Sequence, residues 1–337
     1  MMMKAHTNHV VVPPLRLSRG DVIAALKSRG DEQRRLHKAA LEVKQRVYGN
    51  GVMLRGVIEI TNVCRVSCDY CPMRRDNNRS NDKFFMSAAD IVARARIIRD
   101  AGIDIVLLQG GETPKAAAAT LEAIPGILEL FNNAAEIILN LGSLGSSYYQ
   151  QFKEAGATAY ILKHETSSAP LHAALRHEEL AYRIREWYLA REAGLKMGTG
   201  IISGLPGQGY AVLADEIIFI RTMAPDMISV SPFVPAPNTP LSESSIGNVD
   251  DALNFLALTR LEHPYALIPS VSALEKNSSG GQGRGIAAGA NVMTINFTGH
   301  LSNNYLIYGK DRFVVQVDHV KKVLSDAGAQ PVRSGYL

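Results

Sequence analysis

Short apolar runs alternate along this chain with longer amphipathic stretches. Runs of three to six residues with little polar interruption, at 57–60, 105–108, 137–141, 159–162, 197–202, 227–230, 266–268 and 292–295, suit strands buried on both faces, as in a parallel sheet. Between them, apolar positions recur at helical spacing over 88–101, 116–131, 147–154, 178–193, 211–223, 250–261 and 286–290. Upstream, 18–48 reads as helix: Ser18 stands as a cap before Asp21, and Leu36, Ala40, Val43 and Val47 share one face of a second helix. Eight strand–helix units in about 250 residues is the arithmetic of an α/β barrel. The pattern therefore predicts a complete (βα)8 TIM barrel over 51–310, with a helical N-terminal extension over 1–50 and a C-terminal helix and tail over 311–337.

Polar residues and glycines collect directly after the strand runs: Thr61-Asn-Val-Cys64, Gln109-Gly-Gly-Glu112, Gly142-Ser143, Lys163-His-Glu-Thr166, Ser203-Gly-Leu-Pro-Gly207, Ser231, Ser270 and Asn296. In a parallel barrel these positions converge on one mouth, where such enzymes carry their chemistry. The loops that precede the strands, such as Ala101-Gly-Ile and Glu154-Ala-Gly-Ala, are short and small, so the polarity belongs to one end. The stretch 278–285 reads as a flexible loop.

Composition narrows the class. The 337 residues are 46% hydrophobic and 20% charged, with 28 Gly and 15 Pro, a globular balance that excludes disordered and collagenous chains. A net charge of +4, spread along the chain, gives no reason to expect a nucleic-acid partner. No run approaches the roughly 20 apolar residues of a membrane span, and 1–14 lacks the order of a signal peptide, so a cytoplasmic protein without a membrane partner is expected.

The three cysteines exclude a disulfide framework and fall within eight positions, Cys64, Cys68 and Cys71, just past the first barrel strand. Thiolates ligate zinc and iron–sulfur clusters. A structural zinc wants four ligands, and His37 and His164 are distant in sequence. A [4Fe-4S] cluster held by three thiolates keeps one coordination position open, as catalytic metals do. The loop also carries Arg65, Ser67, Asp69, Arg74, Arg75 and Asp76, too polar for three merely buried cysteines.

Ile60-Thr-Asn-Val-Cys64-Arg-Val-Ser-Cys68-Asp-Tyr70-Cys71 resembles the signature of the radical S-adenosylmethionine superfamily. Further segments, Leu108 to Glu112, Leu162 to Thr166, Gly198 to Gln208, Ser231 to Pro240 and Ala288 to Val292, are similar to its biotin synthase-like group, most of all the [FeFe]-hydrogenase maturases of the HydE type and the methylornithine synthases. The resemblance spans roughly 50–310. It implies a [4Fe-4S] cluster on Cys64, Cys68 and Cys71, reductive cleavage of S-adenosyl-L-methionine to a 5′-deoxyadenosyl radical, and a flavodoxin or ferredoxin as electron donor. It also implies cofactor contacts from Tyr70, Gly110, Gly111, Glu112, Glu165, Arg183, Gly204 and Leu205. Glu112 would meet the methionyl amine and Arg183 the methionyl carboxylate, a role suited to the guanidinium fork. His164, on the opposite strand face from its neighbours, is expected to pack outward.

Asn140, Ser143, Lys163, Thr199, Ser231, Ser270, Ser272 and Tyr305 are expected to line the barrel above the cluster, and Arg284 to hold an anionic group. These mostly neutral hydrogen-bonders suit a small amino-acid-like substrate. With no cysteine left over, sulfur insertion from a second cysteine-held cluster is excluded as the mechanism. Lys163 stands where the maturase pattern has Arg, and Gln109-Gly-Gly-Glu112 where it has Gln-Ser-Gly-Glu, which leaves the substrate open. The sequence thus supports a HydE-like role in metallocofactor maturation, with a carbon-skeleton mutase like methylornithine synthase as the alternative. A non-catalytic iron–sulfur or zinc assembly scaffold is the alternative from another class.

Overall fold

The computed structural model describes residues 11–77, 82–309 and 311–333. The first ten residues of the expected N-terminal extension, most of the segment read for a signal peptide, and the last four residues of the expected tail lie outside these. Two helices come first: α1 (Arg19–Lys27), whose cap Ser18 accepts from the Asp21 N–H, and α2 (Gly30–Tyr48). Strands and helices then alternate through β1 (Gly51–Thr61), α3 (Ala88–Asp100), β2 (Ile105–Gly110), α4 (Pro114–Leu130), β3 (Glu136–Asn140), α5 (Ser146–Ala155) and β4 (Ala159–Ile161). The chain continues through α6 (Ala169–Arg176), α7 (Leu180–Glu192), β5 (Lys196–Ser203), α8 (Tyr210–Met223), β6 (Met227–Pro232) and α9 (Val249–Glu262). It closes with α10 (Ser272–Asn277), α11 (Gly281–Ala287), β7 (Val292–Asn296), α12 (Val317–Asp326) and β8 (Gln330–Val332).

The strands form one parallel α/β sheet in the order β6-β5-β4-β3-β2-β1-β7, with β8 paired to the start of β1. Side chains of one face, including Met53, Val57, Leu107, Ile138, Ile161 and Met227, pack together inside the curve of the sheet. Those of the other face, such as Ile58, Leu108, Leu139 and Ile228, meet the helices. Both faces are covered, which is why the strands read as unbroken apolar runs.

The sheet differs from the expected eight regular barrel strands. The run 266–268 forms no ladder: Leu267 bridges Met227, and Pro269 bridges Val292, each as a single isolated contact. Pro269 has no N–H to donate, so regular pairing cannot continue through it. The regular part is thus a parallel half-barrel whose edges, β6 and β7, are linked by single bridges.

The helical reading also needs correction: α6 and α10 lie outside the expected helices, and the region of α11 differs from expectation. The helix expected at 286–290 is α11, several residues earlier, and the stretch 278–285 expected as a flexible loop contributes most of it. Its glycines serve close packing: a Cβ on Gly281 would lie 2.1 Å from the Leu274 carbonyl oxygen, and one on Gly285 2.2 Å from Ser270 Oγ. The expected N-terminal extension lies against the barrel's outer helices, α1 on α8 and α2 on α9.

Candidate active site at the C-terminal ends of the strands

A cavity of about 310 Å³ opens where the strands end, lined by the loops that follow them. The cysteine loop forms one wall, and β1 delivers it in a fixed position. Thr61 Oγ1 donates to the Phe84 carbonyl and Asn62 Nδ2 to the carbonyls of Asp82 and Asn304. Cys64, Cys68 and Cys71 all line the cavity. Cys64 Sγ accepts from the backbone N–H groups of Val66 (3.5 Å) and Glu112 (3.4 Å), and Cys68 Sγ from Arg176 Nη1 (3.5 Å).

Burial pushes all three thiols above their ordinary pKa. A metal supplies the positive charge that ionises such thiols, and the N–H donors aimed at sulfur fit ligating thiolates. Among the described residues, no three His, Cys, Asp or Glu side chains converge closely enough to hold one metal ion. Three thiols on one cavity wall could each hold one iron of a [4Fe-4S] cluster.

The end of β2 packs directly on this loop. A Cβ on Gly111 would sit 2.0 Å from the Val63 carbonyl oxygen, so only glycine allows the approach. The approach brings Glu112 into the cavity wall. Its Oε2 accepts from the Ser143 N–H (2.8 Å) and lies 3.5 Å from Arg183 Nη1; its Oε1 is 2.6 Å from Arg65 Nη2 but lacks hydrogen-bond geometry. Gly142 makes room for that carboxylate: its φ is +83°, and a Cβ there would lie 2.1 Å from Glu112 Oε2.

Glu165 follows β4 with φ +64°, a left-handed conformation that is strained for a side chain of this kind. Backbone bonds to Gly200 and Ile202 hold it there. Burial opposes its charge, but Lys163, 2.9 Å away, together with Arg176 and Arg183, holds its carboxyl below the ordinary range. The same loop is anchored from outside the sheet by Glu216 of α8, fully buried. Its carboxylate accepts from Thr166 Oγ1 (2.6 Å) and the Ser167 N–H (2.7 Å) and lies 3.2 Å from His164 Nε2. His164 therefore packs outward against α8, as expected. Arg183, buried rather than on a solvated helix face, donates to the Lys163 carbonyl (3.0 Å) and Ser143 Oγ (2.8 Å).

Of the residues expected to face substrate, Asn140, Lys163, Thr199, Ser231, Ser270, Ser272 and Tyr305 line the cavity, as do Tyr70, Gly110 and Gly111 among those expected at the cofactor. Four expected residues are absent from its lining. Ser143 instead supports Glu112 and Arg183 from behind. Gly204 N–H donates to Gln208 Oε1, and Leu205 packs with Leu175 and Phe233 beneath Tyr70. Arg284 turns outward to pair with Asp250, because its stretch is a packed helix and not an open loop.

The cavity also contains charges not singled out from the sequence. Glu59 of β1 forms a bidentate pair with Arg312, both oxygens at 2.6 Å, and Arg55, also buried, donates to Thr294 Oγ1 at 2.6 Å. Arg176, at the end of α6, reaches Cys68 and Tyr70. Period-2 alternation from Met53 through Val57 was the available signal for Arg55 and Glu59. Arg176 and Arg312 lie outside the recognised elements and carried none.

Cysteines, carboxylates and guanidinium groups surrounding one cavity at the strand ends of an α/β half-barrel define the class. Residues 58–217 match the family model of the radical SAM superfamily. The chain belongs to that superfamily and is a radical SAM enzyme. It is 35% identical to the [FeFe] hydrogenase maturase subunit HydE of Thermotoga maritima over 264 residues, 78% of this chain and 75% of that one. To 3-methylornithine synthase of Methanosarcina acetivorans it is 24% identical over 288 residues, 84% and 81% of the two chains. In fold it is similar to methylornithine synthase PylB (TM-score 0.82, 23% identity, 95% of both chains). It is likewise similar to the maturase HydG (TM-score 0.79, 18% identity, 94% of this chain and 72% of that one). The superfamily implies use of a [4Fe-4S] cluster and S-adenosylmethionine. Among the described residues no helix is long and apolar enough to cross a membrane.

Proposed function

We propose that this enzyme holds a [4Fe-4S] cluster on Cys64, Cys68 and Cys71, binds S-adenosylmethionine beside it, and acts on a small amino-acid-like substrate in a HydE-like step of metallocofactor maturation. When bound, the cluster supplies the electron that cleaves S-adenosylmethionine to methionine and a 5′-deoxyadenosyl radical. The observation that carries the reading is that one cavity wall joins the three thiols to Glu112, Glu165 and Arg183. Glu112 and Glu165 present carboxylates to an ammonium, and Arg183 offers a guanidinium to a carboxylate. Gly110 and Gly111 let backbone approach the ligand.

In the same cavity, Asn140, Thr199, Ser231, Ser270, Ser272 and Tyr305 provide neutral hydrogen-bonding groups and Lys163 a cation, which suits a small polar substrate. The single bridges through Leu267 and Pro269 close the half-barrel into a full barrel in this reading and so keep water from the radical. The 35% identity to HydE favours the maturase role over the mutase, to which identity is 24%. A flavodoxin or ferredoxin would deliver the electron.

The test is anaerobic reconstitution with iron and sulfide, then dithionite and S-adenosylmethionine. The expected result is 5′-deoxyadenosine from the wild type and none from Cys68→Ala, which should also lose the cluster absorbance. Equal product from both proteins would refute the catalytic reading.

A further inference from the structure

The C-terminal turn of α6 clasps the cysteine loop through three consecutive residues. The Leu175 carbonyl accepts from the Asp69 N–H (2.8 Å), Arg176 Nη1 donates to Tyr70 Oη (3.1 Å) and Cys68 Sγ (3.5 Å), and His177 Nε2 lies 2.9 Å from Asp69 Oδ1. Arg176 is the buried charged member of the three, 5% exposed, and it lines the cavity. Its Nη2 donates to Glu178 Oε2 at 3.2 Å, while its Nε has no hydrogen-bond partner. Tyr70, the other group on the guanidinium, is a neutral phenol whose ionisation burial strongly opposes. Glu178 is therefore the carboxylate hydrogen-bonded to a buried cation that also touches a cluster-ligand sulfur, and Glu165 feels the same cation without a hydrogen bond to it.

Resting on the proposed function, we infer that Arg176 is a positioning residue that sets the reduction potential of the cluster on Cys64, Cys68 and Cys71, with Glu178 as its counterweight. Adding one electron makes the cluster and its three thiolates more negative by one charge. A buried guanidinium donating to Cys68 Sγ stabilises that reduced state more than the oxidised one, so it raises the potential; Glu178 partly cancels the effect. Net charge, hydrogen bonds to sulfur and solvent exposure are the levers a protein has on such a potential.

The experiment is an anaerobic redox titration of reconstituted protein with dithionite as electron donor, following the reduced cluster by electron paramagnetic resonance, with iron and sulfide content measured in parallel. Arg176→Gln should move the midpoint to lower potential. Glu178→Gln, which keeps the guanidinium and removes the carboxylate, should move it to higher potential, and Arg176→Lys should lie between wild type and Arg176→Gln. A purely structural clasp would alter cluster content or thermal stability without opposite shifts. Unchanged midpoints in cluster-loaded Arg176→Lys and Glu178→Gln would overturn the inference, even if Arg176→Gln does not fold. A wild type that binds no cluster would instead overturn the proposed function on which it rests.

Discussion

Glu165 provides the sharpest test of the site, because its backbone and its side chain make separable predictions. At φ +64° a residue with a Cβ pays roughly 1–2 kcal/mol relative to glycine. Glycine in turn costs about 0.5–1 kcal/mol through the entropy of the unfolded chain. Glu165→Gly and Glu165→Ala both remove the carboxylate that meets Lys163, so that loss cancels when the two variants are compared. Glycine should then be at least as stable as alanine, by up to about 1.5 kcal/mol, whereas at an ordinary position alanine is the more stable. For a chain of this length that corresponds to a melting difference on the order of 1–2 °C, and urea unfolding of the metal-free protein would resolve it. Both variants should also lose S-adenosylmethionine binding equally, because both lack the carboxylate. If Ala were more stable than Gly by the roughly 0.5–1 kcal/mol usual at an ordinary position, the backbone would not be strained, and the account of how β4 aims this residue would fail.

Glu216→Gln should loosen the same loop from outside the sheet. It leaves buried donors from Thr166, Ser167 and His164 facing a weaker acceptor, a loss of about 1–3 kcal/mol in denaturant unfolding. Arg312→Met strands the buried Glu59 carboxylate and should cost roughly 3–5 kcal/mol, with much of it recovered in Glu59→Gln/Arg312→Met; an additive double variant would show that the two charges are not coupled. Acid stability should depend on His172, fully buried, whose pKa burial lowers to about 4. The unfolded chain takes up this proton below about pH 6.5 and the folded protein only below about 4, so stability should fall on acidification between those values. The contribution is up to roughly 3 kcal/mol. His172→Gln should flatten that part of the pH profile, and an unchanged slope would refute the assignment.

The strands and most helices were legible because a parallel sheet covered on both faces writes itself as apolar runs. The cysteine loop, Gly110 to Glu112 and Glu165 were legible because they follow those runs directly. What the sequence hid has local causes. The seventh run, 266–268, reads as a strand by hydropathy, yet Pro269 ends its pairing after single bridges. Glycines at 281 and 285 signal flexibility in a sequence but here mark close contact with Leu274 and Ser270. Helix α6 is eight residues long with a proline in its first turn, too short for a periodicity to stand out, and so Arg176 was invisible. Arg55 falls in a strand whose start, at Gly51, lies ahead of the apolar run 57–60 that announced it, and Glu59 is a single charge inside that run.

Strand β1 pairs with β2 on one side, with β7 on the other, and at its start with β8. During synthesis the first of these partners emerges soon after β1, whereas residues 292–296 and 330–332 follow about 230 to 270 residues later. At typical elongation rates that interval is roughly 10 to 55 s. Over that time the nascent cysteine loop has Gly111 to lean on but lacks Asn304, whose carbonyl accepts from Asn62. The loop therefore reaches its finished form only after Asn304 has been made, long after its three cysteines have left the ribosome.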